Sequence, residues 1–289
     1  MHRNAISART NYSVLINTCD SFDDCWQPYF KLHAKYWPDC TGRLYLNTET
    51  KDFSYPGLHI TTLKVGTGED GRRLTWSECL LRALDKIEDN IVLYMQEDYF
   101  LKAPVQNHWV KRYVELMQCD ESIHCIQLTD QAVIPASPSR YKGLSKVQPR
   151  QRYLVSCQAA LWRKEILKSY LRAFESAWQF EEFGSKRSAR MHQHLYVVDP
   201  SLVKINEFEI IPYIFTGIVQ GRWKEEVVQL FDAHGIEMDY ALRGFLKEAP
   251  PRTVLDKLDT FLKRFPVILR SYLELMFSTA KRWKSQSNS

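Results

Sequence analysis

The sequence lacks several features that would assign it at once to a class of protein. None of its apolar runs reaches the roughly 18 residues needed to cross a bilayer, and its first residues lack the apolar core of a secretory signal. We therefore expect a cytoplasmic protein. It contains no P-loop and no G-x-S-x-G nucleophile elbow, so nothing indicates a P-loop NTPase or an α/β-hydrolase.

Paired cysteines are also missing. The seven cysteines are odd in number and dispersed, and no two of them are spaced as C-x-x-C. This pattern indicates neither a disulfide framework nor a zinc site. We expect the cysteines to be small buried hydrophobic residues.

Excess positive charge is absent from most of the chain. The formal net charge is +5, and residues 251–289 hold eight basic and three acidic side chains, so the first 250 residues are neutral. A neutral body argues against a nucleic-acid partner, because the phosphate backbone selects basic surfaces.

The patterns that are present indicate an α/β protein. With 289 residues, 45% of them hydrophobic, the chain can bury one large core with or without an appendage. Strand-like runs occur near 14–16, 43–46, 60–65, 91–95, 123–128 and 153–162. Helical periodicity lies between them, at about 24–37, 75–87, 104–118 and 164–174. This alternation predicts a mostly parallel central sheet with helices on both faces.

Local signals set some of the boundaries. Thr75 and Glu78 form a capping box at the start of the second helix. Residues 129–151 contain proline, serine and basic residues without periodicity, which predicts a mobile loop over the sheet. We predict a domain over residues 1–249 and a helical tail over 250–289.

Two adjacent carboxylates, Glu97 and Asp98, follow the apolar run 91–95. Ligands of an open parallel sheet bind at the carboxyl ends of its strands, and polar residues also follow two other strands, at 17–20 and 47–49. Side by side, two carboxylates repel each other unless a cation shares them. A divalent metal bound to a diphosphate is one explanation, and a solvated strand end or a helix N-cap is the other.

The order of these motifs resembles the GT-A fold glycosyltransferases, and most of all the bacterial capsule and lipopolysaccharide type. A strand ending in Glu97-Asp98-Tyr99-Phe100 stands where that subgroup has Asp-Asp-Tyr-Phe. Residues 178–185 are similar to a Trp-x-Phe-Glu-x-x-Gly-Ser pattern, and 217–223 to Gly-x-x-x-Gly-x-Trp. The resemblance covers roughly residues 13–245. Where the family usually has Asp-x-Asp, this chain has Gln96-Glu97-Asp98.

The resemblance implies a transferase that moves a sugar from a nucleotide-diphosphate donor to a glycan or lipid-linked glycan acceptor, with Mn²⁺ or Mg²⁺ as cofactor. It implies that Asp98 binds the metal and that Glu97 turns towards the metal or the donor ribose. Glu181 would deprotonate the acceptor in an inverting transfer, with Glu182 as the second candidate. Whichever of this pair faces the cleft will be desolvated, which raises its pKa. A retaining transfer and a purely exposed glutamate pair remain open.

Further candidates concern the donor. By the same resemblance, Thr18, Cys19 and Asp20 after the first strand would lie near the nucleobase and ribose. Trp76 and Arg82 would flank the nucleotide or its phosphates, although Trp76 fits a core position equally well, and Arg222 would bring a cation to the diphosphate or the acceptor. The donor-binding candidates are Thr18, Cys19, Asp20, Trp76, Arg82, Glu97 and Arg222.

Two other motifs carry weaker signals. Residues 66–71 match G-x-G-x-x-G, but three residues separate them from the capping box, so we interpret them as a flexible turn rather than a dinucleotide site. His192 and His194 form an H-x-H pair that we interpret as structural. A non-catalytic nucleotide- or carbohydrate-binding module on the same scaffold is the alternative to an enzyme.

The tail has apolar residues at helical spacing over 255–276, with lysine and arginine between them. Such a helix can lie in an anionic membrane interface on the inner face of the cytoplasmic membrane. Packing on the core or on a partner subunit is the alternative. Pro266 is expected to kink the helix or divide it in two.

Overall fold

The computed structural model describes residues 11–129, 133–204, 207–248 and 254–286. The helices are α1 Trp26–Tyr36, α2 Trp76–Lys86, α3 Asn107–Cys119, α4 Lys164–Tyr170, α5 Ala177–Ser188, α6 Glu225–Asp232 and α7 Val254–Gln286. The strands are β1 Ser13–Asn17, β2 Arg43–Asn47, β3 Ile60–Thr62, β4 Ile91–Gln96, β5 Cys125–Gln127, β6 Pro135–Pro138, β7 Leu144–Val147, β8 Ala160–Arg163, β9 Leu195–Val198, β10 Ile218–Val219 and β11 Arg222–Trp223. Three short 3₁₀ turns occupy Asp20–Cys25, Tyr240–Leu242 and Leu246–Glu248.

In the described part of the chain, nine strands form one mixed sheet with the order β3-β2-β1-β4-β8-β5-β9-β7-β6. Only β7 and β8 run against the other seven, because each of them pairs antiparallel with both of its neighbours. Helices surround this sheet. The prediction of a mostly parallel α/β sheet with a C-terminal helix is confirmed.

The centre of the sheet explains why its strands are so apolar. β1 is hydrogen-bonded to β2 on one side and to β4 on the other. All residues of β1 are buried, as are residues 91–95 of β4. A strand covered on both faces needs apolar side chains at every position. Each buried Ile, Val, Leu or Met side chain contributes about 1.5–3 kcal/mol to the free energy of folding.

Several predicted boundaries shift. The first helix begins at Trp26 because the 3₁₀ turn Asp20–Cys25 comes before it, and Pro28 then lies in the first helical turn as expected. Of the strand predicted over 153–162, only its end forms a strand, in β8. The capping box of α2 is present: Glu78 N–H donates to Thr75 Oγ1 over 3.2 Å, and Thr75 N–H donates to Glu78 Oε2 over 2.9 Å.

The prediction of a mobile loop over 129–151 is wrong. This stretch contains the antiparallel hairpin β6–β7, which extends the sheet at one edge, while residues 130–132 lie outside the described residues. Proline is tolerated in an edge strand because one side of that strand donates no ladder hydrogen bonds. Pro135 and Pro138 bound the edge strand β6, so the prolines that indicated a loop are compatible with a strand.

The cysteines are all free, and four of them, Cys25, Cys79, Cys125 and Cys157, are buried as expected. Cys119 is exposed, and Cys19 and Cys40 are partly buried. The expectation of small buried residues therefore holds for four of the seven.

Helix α7 is one continuous helix through Pro266, so this residue does not divide the helix, and a kink at this position stays a prediction. Part of α7 packs on the core, where Ser271 is fully buried and Leu275 is 5% exposed. The predicted domain boundary near Ala249 lies outside the described residues. No helix within the described residues is both long and apolar enough to cross a membrane.

The docking point of α7 is a buried ion pair. Arg187 of α5 donates from Nη1 and Nη2 to the two carboxylate oxygens of Glu175, over 2.8 and 2.6 Å. Ser271 Oγ donates to the same carboxylate over 2.9 Å. Arg172 and Glu274 form a second ion pair between the core and the helix. The C-terminal helix is therefore attached through specific polar contacts.

Candidate active site at the carboxyl end of the sheet

The polar strand ends that the sequence predicted do lie together. In the parallel register, Asn17 at the end of β1 is level with Asn47 of β2 and with Gln96 of β4. Asn47 Nδ2 donates to Asn17 Oδ1 over 2.7 Å, which ties two of these ends together. Thr18 and Glu97 follow directly, so the candidate residues share one edge of the sheet.

Glu97 and Asp98 are buried at this edge, with 9% and 6% of their surface exposed. Burial raises the pKa of both carboxyl groups, and the charge of Asp98 raises the pKa of Glu97 further. A solvated strand end does not fit this burial. A helix N-cap does not fit either, because the next helix, α3, begins only at Asn107.

Asp98 is held by the segment 216–218. Its Oδ2 accepts hydrogen bonds from Thr216 Oγ1 over 2.5 Å and from Ile218 N–H over 3.2 Å. Gly217 N–H donates to the Asp98 carbonyl over 3.0 Å, and a Cβ at Gly217 would lie 2.5 Å from the Phe100 ring. A glycine is therefore needed here for packing. The hydrogen bonds to Asp98 favour its ionised form and oppose the effect of burial.

Arg243 is a functional candidate that the sequence analysis missed. It binds Asp24 with two hydrogen bonds of 2.6 and 2.5 Å, donates to the Ser21 carbonyl over 2.7 Å and stacks on Phe22 at 4.4 Å. Its charge opposes the rise in the pKa of Glu97. Glu97 itself forms no ion pair with another described residue. No local motif marks Arg243, which reaches the site from the end of a short 3₁₀ turn.

The three candidates after β1 have different surroundings. Thr18 is buried and its Oγ1 accepts a hydrogen bond of 2.9 Å from Trp26 Nε1. Burial raises the pKa of the Cys19 thiol, and the charge of Glu97 adds to this effect.

Asp20 closes the loop that follows β2. Its carboxylate accepts backbone N–H groups of Glu49, Thr50 and Lys51 over 2.8, 2.9 and 3.1 Å. Partial burial opposes ionisation, but these bonds and the Thr50 hydroxyl outweigh it and lower the pKa of Asp20. The side chain therefore shapes the rim of the site.

The two glutamates of α5 differ clearly. Glu181 Oε1 accepts the Cys157 N–H over 2.8 Å, and burial raises the pKa of this carboxyl group. Glu182 is exposed and pairs with Lys186 over 2.7 Å. Desolvation therefore selects Glu181, which has the environment expected of a general base near neutral pH.

Cys157 connects Glu181 to the acidic pair. Tyr99, the residue after Asp98, donates from its hydroxyl to the Cys157 carbonyl over 2.9 Å. Burial raises the pKa of the Cys157 thiol, and the charges of Glu181 and Asp98 add to this effect. The predicted base and the residue that follows the predicted metal ligands thus hydrogen-bond to the backbone of the same residue.

The remaining candidates are placed less centrally. Trp76 packs on Phe180 with 5.5 Å between ring centroids. This contact fits the core position that was the alternative to a donor-binding role for Trp76. Arg82 donates to the Thr67 carbonyl over 3.0 Å. Arg222 Nη1 lies 3.5 Å from the carbonyl oxygen of Arg243, so it is the one of these three that neighbours the site.

The glycine pattern at residues 66–71 and the H-x-H pair make contacts within the fold. A Cβ at Gly66 would lie 2.4 Å from the Glu49 Cβ, so this glycine allows a close approach of two segments, and α2 begins only at Trp76. His194 stacks on His124 at 5.7 Å between ring centroids and donates its backbone N–H to His124 Nδ1 over 2.9 Å.

Whether the site suits a metal depends on what else would bind the ion. The described residues contain no group of three or more His, Cys, Asp and Glu side chains that could hold a metal ion. Mg²⁺ in nucleotide sites is typically bound by one or two carboxylates together with substrate phosphates and water. The buried, like-charged pair Glu97 and Asp98 fits an ion of this second kind, which arrives with a diphosphate.

Beside Glu181 lies a cavity of about 880 Å³, bounded by α5, residues 150–153 and α7. Glu97 and Asp98 do not line it. The cavity and the acidic strand end are linked through Cys157, since Glu181 lines the cavity and Tyr99 follows Asp98, and both bond to the Cys157 backbone.

Comparison with known proteins finds no matching family model and no matching curated protein. The fold is similar to several solved structures at low identity. Residues 1–349 of TarS from S. aureus align with 12% identity and a TM-score of 0.42, over 65% of this chain and 58% of that one.

A CMP:2-keto-3-deoxy-manno-octonic acid synthetase in complex with CTP also aligns with 12% identity and a TM-score of 0.42, over 78% of this chain and 98% of that one. The glucosyl-3-phosphoglycerate synthase of Mycobacterium tuberculosis aligns with 15% identity and a TM-score of 0.34, over 55% and 59%. The chain thus spans less than two thirds of the TarS fragment and of this synthase. At such scores the similarity carries no conclusion about activity.

Proposed function

We propose that this chain is a glycosyltransferase that moves a sugar from a nucleotide-diphosphate donor to a glycan acceptor in surface polysaccharide synthesis. The observation that carries the proposal is the burial of Glu97 beside Asp98 at the carboxyl end of a mostly parallel sheet. Two buried carboxylates with raised pKa values are costly to the free protein. Such a cost is typical of a site that becomes favourable when a cation binds.

Glu97 and Asp98 would hold Mn²⁺ or Mg²⁺ that enters with the donor. The ion would supply charge neutralisation for the departing nucleoside diphosphate. Asp98 is already oriented by Thr216 and Ile218, so little reorganisation is needed when it binds. Glu97 has no ion pair in the described structure and presents the second carboxylate.

The donor phosphates would also meet cationic and backbone groups. Arg243 is anchored by Asp24 and lies close enough to Glu97 to affect its pKa. Arg222 neighbours it on β11. Thr18 and Cys19 at the end of β1 would contact the nucleoside, as the sequence predicts.

Glu181 would take the proton from the acceptor hydroxyl while that oxygen attacks the anomeric carbon. This step forms the new glycosidic bond, breaks the bond to the diphosphate and inverts the anomeric centre. A raised pKa suits a base that works near neutral pH, and the Cys157 N–H fixes one oxygen of the carboxylate. Glu182 is a weaker candidate because Lys186 already pairs with it.

We also propose that α7 rests on an anionic membrane surface, where a lipid-linked acceptor would be found, on the cytoplasmic side. The helix exposes a row of large apolar side chains: Phe261, Leu262, Phe265, Leu269, Leu273, Met276 and Phe277. An apolar face of this kind buries into the boundary between headgroups and acyl chains.

Release of nucleoside diphosphate from a panel of nucleotide sugars, with and without Mn²⁺, tests the enzymatic proposal. We expect the Asp98→Ala and Glu181→Gln variants to lose sugar transfer while their far-UV circular dichroism stays unchanged. A non-catalytic nucleotide- or carbohydrate-binding module would instead bind ligand without releasing product. Equal release by wild type and both variants would refute the assigned roles.

A further inference from the structure

The cavity beside Glu181 is strongly basic. Among the described residues that line it, two are acidic, Glu181 and Glu182, and the second is paired with Lys186. The cationic residues that line it are Arg150, Arg152, Lys186, Arg190 and Arg264. Arg150 and Arg264 form no ion pair with another described residue. The cavity therefore carries an excess of positive charge outside the acidic strand end.

One wall of the cavity is a tight and fixed turn. Arg150 has φ 62° and Tyr153 has φ 57°, so two non-glycine residues adopt the left-handed region within four positions. Gln151 fixes the turn to the β6–β7 hairpin, because its Oε1 accepts the Ile134 N–H over 2.6 Å and its Nε2 donates to the Ile134 carbonyl over 3.0 Å. Strained backbone that is held in place this way is typical of ligand sites.

Exposed aromatic rings line the same space. Trp178 is 64% exposed, and Tyr153 and Tyr272 are 40% and 46% exposed. Trp178 lies three residues before Glu181 on α5, which places both on one face of the helix. Aromatic faces of this kind pack against the apolar faces of sugar rings, as they do against other flat ligands.

We propose that this cavity is the acceptor site and that it takes a saccharide bearing a phosphate or another anionic group. This inference rests on the proposed glycosyltransferase function and names its acceptor class. Arg150 and Arg264 bind the anion, because guanidinium groups match phosphate oxygens with paired hydrogen bonds. Trp178 packs on the sugar ring, and the reacting hydroxyl points at Glu181.

The C-terminal helix is then a wall of the acceptor site. Arg264, Tyr272 and Met276 of α7 line the cavity, and Ser271 and Leu275 fasten the helix to the core beside it. A volume of about 880 Å³ lies within the usual range for small-molecule sites. The anion can belong to a soluble sugar phosphate or to a lipid phosphate, since the exposed apolar face of α7 adjoins the cavity.

The test measures binding to the full chain without donor and without metal. Isothermal titration calorimetry with glucose 1-phosphate, and with glucose as the uncharged probe, reports the soluble source. Sedimentation with phosphatidylcholine vesicles, with and without phosphatidic acid, reports the lipid source. We expect the Arg150→Gln/Arg264→Gln variant to weaken binding of whichever phosphate binds by at least tenfold, and Trp178→Ala to weaken glucose 1-phosphate binding.

The control variant is Arg112→Gln/Arg270→Gln, which removes the same charge from two exposed arginines outside the cavity. It should bind phosphate as the wild type does. Equal loss in the test and control variants, binding of glucose as tight as that of glucose 1-phosphate, or no phosphate binding from either source would overturn the inference. Asp98→Ala should keep phosphate binding, so a failure of the donor chemistry is distinguished from a failure of the acceptor site.

Discussion

Thr216 Oγ1 donates a hydrogen bond of 2.5 Å to Asp98 Oδ2 across 118 positions of the sequence. This bond favours the charged carboxylate in a place where burial favours the neutral acid. The segment around Thr216 therefore prepares Asp98 for a cation. No sequence pattern predicts the contact between Thr216 and Asp98, because the two residues are close only in the folded chain.

Replacement of Thr216 by valine removes this hydroxyl and raises the pKa of Asp98. We expect metal-dependent donor hydrolysis to fall by roughly tenfold to a hundredfold at pH 7. This is the factor that corresponds to the free energy of one hydrogen bond to a charged group. The acidic limb of the pH–rate profile should move to higher pH. Thr216→Ser keeps the hydroxyl and should restore both, whereas identical profiles for Thr216→Val and wild type would contradict the role of this bond.

Glu97 should destabilise the free protein at high pH. Because the pKa of Glu97 is raised in the native state, protonated Glu97 contributes fully to the free energy of unfolding below its usual pKa of 4.5. This contribution is lost as the pH rises through the raised pKa. Glu97→Gln cannot ionise, so it should gain about 1–2 kcal/mol over wild type at pH 9 and little at pH 5. Thermal melts at both pH values measure this, at roughly 2–4 °C for each kcal/mol.

The exposed residue Glu182 provides the control, since Glu182→Gln should show no such pH-dependent gain. Mn²⁺ with a nucleoside diphosphate should raise the melting temperature of wild type and not that of Glu97→Gln, because a ligand stabilises by mass action. A gain that is the same at pH 5 and pH 9 would show that Glu97 does not titrate as a buried acid.

The two glutamates of α5 should separate in kinetics. Glu181→Gln removes the proposed base and should lower kcat for sugar transfer by about 10²–10⁴, whereas Glu182→Gln should stay close to wild type. Because the pKa of Glu181 is raised, transfer should fall as the pH drops through that value and the base becomes protonated. Initial rates across pH 5–9 measure both, and a Glu182→Gln loss as large as that of Glu181→Gln would reverse the assignment.

Much of this arrangement is predictable from local patterns, and the remainder depends on distant contacts. The apolar run of β4 followed by Glu97 and Asp98 is a local signal. A strand buried on both faces is a continuous apolar run, so the first charged residues after it mark its end. Arg243 could not be predicted, since only the fold brings it to Asp24. The β6–β7 hairpin was also hidden, because proline indicates a loop unless the strand is known to be at an edge.

The buried ion pair should be essential to stability. Arg187→Met leaves the Glu175 carboxylate buried without its cation, and we expect a loss of roughly 3–5 kcal/mol of unfolding free energy. Ser271→Ala leaves the pair intact and removes one hydrogen bond, so its cost should be on the order of 1 kcal/mol. Urea denaturation of both variants measures the difference. Equal costs would mean that α7, rather than Arg187, satisfies Glu175.

The apolar face of α7 should decide membrane attachment. Leu262→Gln/Leu269→Gln replaces two exposed leucines without any change in charge, and we expect co-sedimentation with anionic vesicles to weaken more than tenfold, because each leucine contributes apolar area to the interface. Leu242→Gln is the matched control, since Leu242 is 76% exposed but lies outside α7. Point variants are preferable to truncation here, because removal of α7 would also uncover the Glu175 carboxylate that Ser271 covers. Unchanged sedimentation of the double variant would exclude the helix face as the membrane contact, while the acceptor site could still bind a soluble anionic glycan.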